Sequence, residues 1–300
     1  MSLHATRTPG EILATYRIPS AGRRSVYTTI CPQCSHTRRK KRDRCLSVLI
    51  DGRGVRWNCH YCQWKGGEFY DARRAGEDKP FIPHIKTRSD IINGDEIRIK
   101  RAQEIWEQSV DPRGTLVEHY LADRGLSLDG MANRVIRFHE ACPWKDDETD
   151  ELLRIPAMIA VMHDIQTNEL RAVQITRLRA DGSKLGRKIR GVAAGASIKV
   201  SPDESVTQGL TIGEGLETVL AGMKLGFCPG WACGGTANLR NFPVLGGIEA
   251  LTILVDHDEP GQSAAAECAG RWLAAGIEVF RHMPRKSGDD FNDVVIRSVA

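Results

Sequence analysis

Short runs of alternating apolar and polar residues dominate the first quarter of the chain. Between residues 22 and 70, SVYTTI, CLSVLI and GVRWNC read as strands separated by turn and charged segments. Residues 76–94 are polar with two prolines and predict a linker. Two helical faces follow. Ile97, Ala102, Ile105, Trp106 and Val110 form one, and Leu116, Val117, Tyr120 and Leu121 the other. Asp111-Pro112-Arg113-Gly114 supplies the stop and restart between them. Over 133–200 the runs RVIRFH, PAMIAVMHD, LRAVQITRL and ASIKV predict a mostly antiparallel sheet.

From residue 208 the period changes to strand–helix alternation. LTIG leads into a helix through Met223, FCPGWAC into a short helix around ANLRN, and ALTILVD into a helix from Gly261 to Ala275. The strand IEVFRHM and a last helix after Asp290 complete the pattern. Strands alternating with helices of this length predict βα units and a mostly parallel sheet. The expected class is therefore α/β and α+β multidomain. Residues 1–75 form a β-rich module and 76–94 a linker. Residues 95–207 form a mixed helix and antiparallel-sheet subdomain, and 208–300 an α/β domain.

Charge sharpens this division. The chain carries a net +4, but residues 1–75 hold 15 Lys/Arg against 5 Asp/Glu, about +10, which leaves about −6 for the remainder. A small basic module on a mildly acidic body is the electrostatic footprint of a nucleic-acid-binding arm. No run of about 18 apolar residues offers a membrane span. The N-terminal residues lack the apolar stretch of a signal peptide, so the expectation is a cytoplasmic protein.

Four of the nine cysteines form two knuckles, Cys31-Pro-Gln-Cys34 and Cys59-His-Tyr-Cys62, with 24 residues between them. Each C-x2-C puts two thiolates on one tight turn, and two such turns complete the tetrahedral shell that Zn2+ favours. A full set of four leaves no open coordination position, so this zinc is structural and the module is a zinc ribbon. Cys45, Cys142, Cys228, Cys233 and Cys268 read as packing residues. His36, Cys45 and His60 could in principle replace a ligand, but two intact knuckles leave no vacancy. The excursion between the knuckles carries Arg38, Arg39, Lys40, Lys41 and Arg42, with Trp57 and Trp64 near the second knuckle. Cations for phosphates and aromatics for bases are the means of gripping single-stranded DNA.

The C-terminal domain holds the acids. Glu214 follows the strand LTIG, Asp256 and Asp258 end ALTILVD, and Asp290 precedes the last helix. In a parallel α/β sheet, ligands bind at the carboxyl ends of the strands, where these acids fall. Carboxylates converging there call for a hard divalent cation, Mg2+ or Mn2+, held together with substrate phosphates.

Gly213-Glu214-Gly215-Leu216-Glu217-Thr218, Asp256-x-Asp258-x-x-Gly261 and Asp290-Phe-Asn-Asp293 resemble the three motifs of a Toprim domain. With the ribbon in front, the chain resembles bacterial and phage-type DNA primases. The resemblance implies Glu214, Asp256 and Asp258 as catalytic metal ligands, with Asp290 as a supporting acid. It also implies a subdomain before the Toprim sheet that supplies basic residues to template and nucleoside triphosphates. Lys184, Arg187, Lys188 and Arg190, in a glycine-containing loop, and Lys199 fit that role. Asp289 stands where related sequences often have a lysine. The activity so implied is RNA primer synthesis on single-stranded DNA. The alternatives are a non-catalytic zinc and Toprim DNA-binding protein, or a Toprim nuclease. No G-x-x-x-x-G-K-[ST] loop occurs, so unwinding would fall to a separate replicative helicase.

Overall fold

The computed structural model describes residues 7–22, 25–37, 41–59, 61–62, 64–70, 88–146, 149, 151–286 and 289–299. The chain divides into two compact units, Met1–Ile85 and Lys86–Ala300.

In the first unit, helix α1 (Pro9–Thr15) starts at a capping box. Thr8 Oγ1 accepts from the Glu11 amide, and the Glu11 carboxylate accepts from the Thr8 amide at 2.6 Å. Strands β1 (Val26–Thr29), β2 (Leu46–Asp51), β3 (Gly54–Cys59) and β4 (Lys65–Phe69) form an antiparallel meander in the order β1-β2-β3-β4. Ile12 and Leu13 of α1 pack with Leu46, Val48, Val55 and Trp57 in one small core that includes four of the cysteines.

The second unit opens with helix α2 (Arg88–Glu107), which begins inside the stretch expected to be linker. Residues 71–87, which include the rest of that stretch, lie outside the described residues. Only part of the expected α2 face is buried: Ala102 and Ile105 are, whereas Ile97 is exposed, as is Val110 beyond the helix. Helix α3 (Leu116–Ala122) is capped by Thr115. A second antiparallel meander follows, β5 (Ile136–Lys145), β6 (Leu152–Asp164), β7 (Leu170–Leu178) and β8 (Lys184–Gly191). Of the expected ASIKV strand only β9 (Ala196–Ser197) forms, paired with β6.

The C-terminal part alternates β10 (Gly209–Gly213), α4 (Leu216–Lys224), β11 (Gly230–Ala232), α5 (Thr236–Arg240), β12 (Ala250–Leu254), α6 (Glu259–Ala274), β13 (Glu278–His282) and α7 (Phe291–Val299). Its sheet is parallel throughout, in the order β11-β10-β12-β13.

Strand β6 explains how the two sheets are held. Successive side chains point to opposite faces. Met158, Ala160 and Met162 join a core with Leu216, Val219 and Leu220 of α4 and Leu254 of β12. Ala157 and Ile159 join Ala102 and Ile105 of α2 on the other face. The antiparallel sheet is thus sandwiched between α2 and the parallel domain.

Candidate active site and metal centre

The acids of the parallel domain gather at the carboxyl edge of its sheet. Glu214 follows the last residue of β10, Asp256 lies two residues beyond β12, and Asp258 caps α6. Thr236, the first residue of α5, donates its hydroxyl to Glu214 Oε2 at 2.8 Å. Arg187 Nη2 lies 3.8 Å from Glu214 Oε1. Thr218 on α4 donates to Asp256 Oδ1 at 3.1 Å. Asp258 accepts the Gly261 amide at 2.8 Å. A Cβ at position 261 would stand 2.8 Å from Asp258 Oδ1, so glycine is what lets this turn close. Asp290 and Asp293 accept each other's backbone amides at the start of α7, at 2.9 and 3.0 Å. Asp258 and Asp290 are therefore helix caps as well as members of the acidic edge, each using one oxygen for the cap.

Asp256 reports the field these groups make. Burial raises its carboxyl, and the negative charges of Glu214, Asp258 and Asp290 raise it further, against the Thr218 hydrogen bond, to about 6. This mutual repulsion is what a divalent cation relieves, and the donors are hard oxygens. Among the described residues, no three carboxylates bring ligand atoms within 4.8 Å of one another. The carboxylates do not form a closed cage, and a Mg2+ held by one or two of them would complete its shell with water and phosphate.

Glu217, in the first turn of α4, has a different role from its neighbour Glu214. It is buried and pairs with Lys184 at 2.8 Å while accepting the Tyr120 hydroxyl of α3. Burial alone would raise its carboxyl, but the Lys184 charge and the two hydrogen bonds dominate and bring it to about 2.

The basic segment departs from expectation. Residues 184–191 are not a loop but strand β8, and its pleat divides the cations between two faces. Lys184 pairs in register with Leu178, and Arg187 with Thr176, on the side that faces α4. Lys188 and Arg190 pair with Ile175 and Val173 and point to the α2 side. There the Lys188 ammonium lies 4.5 Å from the Trp144 ring centroid and donates to the Lys145 carbonyl. Lys199 is 5% exposed and is committed to Asp203 at 2.8 Å, above the Trp231 ring. Of the five expected cations only Arg187 reaches the acidic edge, and Lys184 is taken by Glu217.

In the first unit, Cys31, Cys34, Cys59 and Cys62 bring their sulfurs within 4.8 Å of one another. Cys31 and Cys62 are 3.8 Å apart, and Cys34 and Cys59 3.7 Å. Sulfurs in a tetrahedron with Zn–S of about 2.3 Å are separated by about 3.8 Å. The cluster is compatible with a structural zinc site. Trp57, expected to stack on bases, is instead 6% exposed. Tyr16 and Trp64 pack against it, with ring centroids 4.5 and 5.5 Å away. A Cβ at Gly66 would sit 2.6 Å from its ring, so β4 covers it as well. Trp64 is half-buried in the same group, while Lys41 and Arg42 are exposed. Arg38, Arg39 and Lys40 lie outside the described residues.

Comparison with known families follows this division of the second unit. Residues 209–299 match the family described as Toprim domain. With Glu214, Asp256 and Asp258 at the edge of a four-stranded parallel sheet, the fold agrees with the match. This segment is a Toprim domain. Residues 96–196, just before it, match a domain of unknown function, DUF7146. Among solved structures, a DNA primase domain from Pseudomonas aeruginosa is similar with a TM-score of 0.45 and 14% identity, over 62% of this chain and 68% of that one. The RNA polymerase domain of the Mycobacterium tuberculosis primase DnaG gives a TM-score of 0.42 and 12% identity, over 71% and 81%. No curated protein matches the sequence. No helix among the described residues is long and apolar enough to cross a membrane.

Sequence reasoning placed Glu214, Asp256 and Asp258 at strand ends, where the structure has them, but did not single out Thr236, Thr218 and Tyr120, which bond to Glu214, Asp256 and Glu217. Thr218 stands inside the first motif and could have been found there. Thr236 follows Gly234-Gly235 at a strand-to-helix turn, a local signal of close backbone approach.

Proposed function

We propose that the protein is a DNA primase, joining ribonucleotides into short primers on single-stranded DNA. The observation that carries this reading is the placement of Glu214, Asp256 and Asp258 at the carboxyl edge of the parallel sheet in the segment that matches the Toprim family. Mg2+ or Mn2+ held by Glu214, Asp256 and Asp258 would supply charge neutralisation and polarise phosphate oxygens. The residues themselves hold the site in readiness. Thr236 and Thr218 fix two carboxylates, the α6 cap fixes a third, and Arg187 offers a cation beside Glu214. Lys184 braces β8 against α4 through Glu217, which keeps Arg187 at the edge. The ribbon, carrying structural Zn2+, would hold the template through its exposed cations, Lys41 and Arg42 among them. A separate replicative helicase would deliver the strand in the cytoplasm.

The test supplies the purified protein with single-stranded DNA, labelled ribonucleoside triphosphates and Mg2+, beside a Glu214→Ala variant. Template-dependent short RNAs from the parent only are the expected result. Shortened DNA without RNA would replace the reading by a Toprim nuclease. Binding of DNA with neither product would replace it by a non-catalytic binding protein.

A further inference from the structure

The four-cysteine centre has a fifth sulfur beside it. Cys45, just before β2, is 8% exposed. Its Sγ lies 3.8 Å from that of Cys34 and 3.6 Å from that of Cys59. Those two sulfurs are themselves 3.7 Å apart. Cys34, Cys45 and Cys59 thus form a nearly equilateral triangle with edges close to the ~3.8 Å expected for one face of a ZnS4 tetrahedron. Cys45 belongs to the small core of this unit and is at the same time set against two ligand sulfurs. The edge from Cys34 to Cys59 is therefore common to two groupings, one closed by Cys31 and Cys62 and the other bordered by Cys45.

The two ends of this arrangement are unlike. Cys62, the last of the four in the chain, is exposed, whereas Cys31, Cys34, Cys45 and Cys59 are buried. The Cys45 backbone is held in place, its amide donating to the Asp43 carbonyl at 3.0 Å. Loss of a ligand would begin at the exposed thiolate, and the buried thiol is already within one tetrahedron edge of two ligands that remain.

We infer that Cys45 is a reserve zinc ligand, which enters the shell when Cys62 leaves it. Cys31, Cys34 and Cys59 stay bound throughout, the Cys62 thiolate departs, and Cys45 gives its proton to solvent and binds as thiolate. The shell would then be held by Cys31, Cys34, Cys45 and Cys59, four sulfur ligands as before. The ribbon so built retains its metal when its exposed thiol is lost. This inference concerns the ribbon's metal chemistry and is independent of primer synthesis.

The test uses the full chain in four forms: parent, Cys45→Ala, Cys62→Ala and the double variant. Alanine is used because it offers no ligand atom. Each is loaded with Co2+ in place of Zn2+, and the thiolate-to-metal charge-transfer band and metal content per chain are read. Parent, C45A and C62A should show one metal with the four-thiolate band. The double variant should lose about a quarter of the band intensity, one sulfur of four, or bind no metal. A C62A variant that matches the double variant, or that fails to hold metal, overturns the inference. So does a C45A variant that alone loses a quarter of the band, because Cys45 would then be a resting ligand.

Discussion

Lys184 of β8 and Glu217 of α4 form an ion pair at 2.8 Å, with side-chain exposures of 30% and 11%. Thirty-three positions separate them, and the pair ties an edge strand of the antiparallel sheet to the helix that carries the first Toprim motif. The two ends are unequal, since the carboxylate is the more deeply buried. Lys184→Met leaves that carboxylate uncompensated and should cost about 3 kcal/mol in denaturant unfolding. Glu217→Gln still accepts the Tyr120 hydroxyl and leaves a lysine that water reaches, so it should cost only about 1–2 kcal/mol. The sign of the pH dependence follows from the depressed carboxyl, from 4.5 to about 2. Its stabilisation is present above about 4.5 and is lost as pH falls toward 2. Thermal melts of parent and E217Q should accordingly converge over that window.

Asp256 gives the opposite sign. Its carboxyl is raised from 3.8 to about 6, so charging it opposes folding in metal-free protein. The favourable contribution is present below 3.8 and is lost as pH rises through about 6. Asp256→Asn should therefore raise the metal-free melting temperature at pH 7.5, while abolishing primer synthesis. Addition of Mn2+ should stabilise the parent and not the variant. A D256N protein less stable than the parent without metal would contradict the electrostatic account.

Thr236 donates a hydrogen bond to a carboxylate, an interaction worth about 1.5–3 kcal/mol. Thr236→Val should lower the rate of primer synthesis about 10- to 100-fold and leave DNA binding unchanged. Thr236→Ser, which keeps the hydroxyl, should restore most of the rate. Filter binding read beside the polymerisation assay separates the two effects.

Gly261→Ala forces a methyl toward Asp258 Oδ1 and the carbonyl of Asp256. The α6 cap should open at a cost of about 1–2 kcal/mol, a typical cap loss. Activity should fall further than stability, because the same movement displaces an acid of the site. Comparison of melting temperature with rate at a temperature where the variant remains folded measures the excess.

The sequence made Glu214 and Asp256 legible because each directly follows an apolar run, and strand ends are where a parallel sheet collects ligands. It made the knuckles legible through spacing alone. The cations of 184–190 were visible as residues, but their distribution depends on pairing. Reading that stretch as a loop concealed that alternate residues would part company across a sheet. Trp57 posed the same difficulty, for an aromatic beside a knuckle looks accessible until Gly66 and Tyr16 are known to lie over it. Thr236 and Glu214 meet only through the crossing from β10 to β11, a tertiary relation with no local mark.

The shared core beneath β6 has a consequence for how this protein can be cut or shuffled. Residues 96–196 and 209–299 match separate families, yet Met158, Ala160 and Met162 share one core with Leu216, Val219 and Leu254. A break near residue 207 would leave each fragment with a wet apolar face, so neither should melt cooperatively alone. Exchange of one segment between relatives would succeed only if the donor's β6 side chains interlock with the recipient's α4. The family boundary is a seam in ancestry, and the physical joint lies elsewhere.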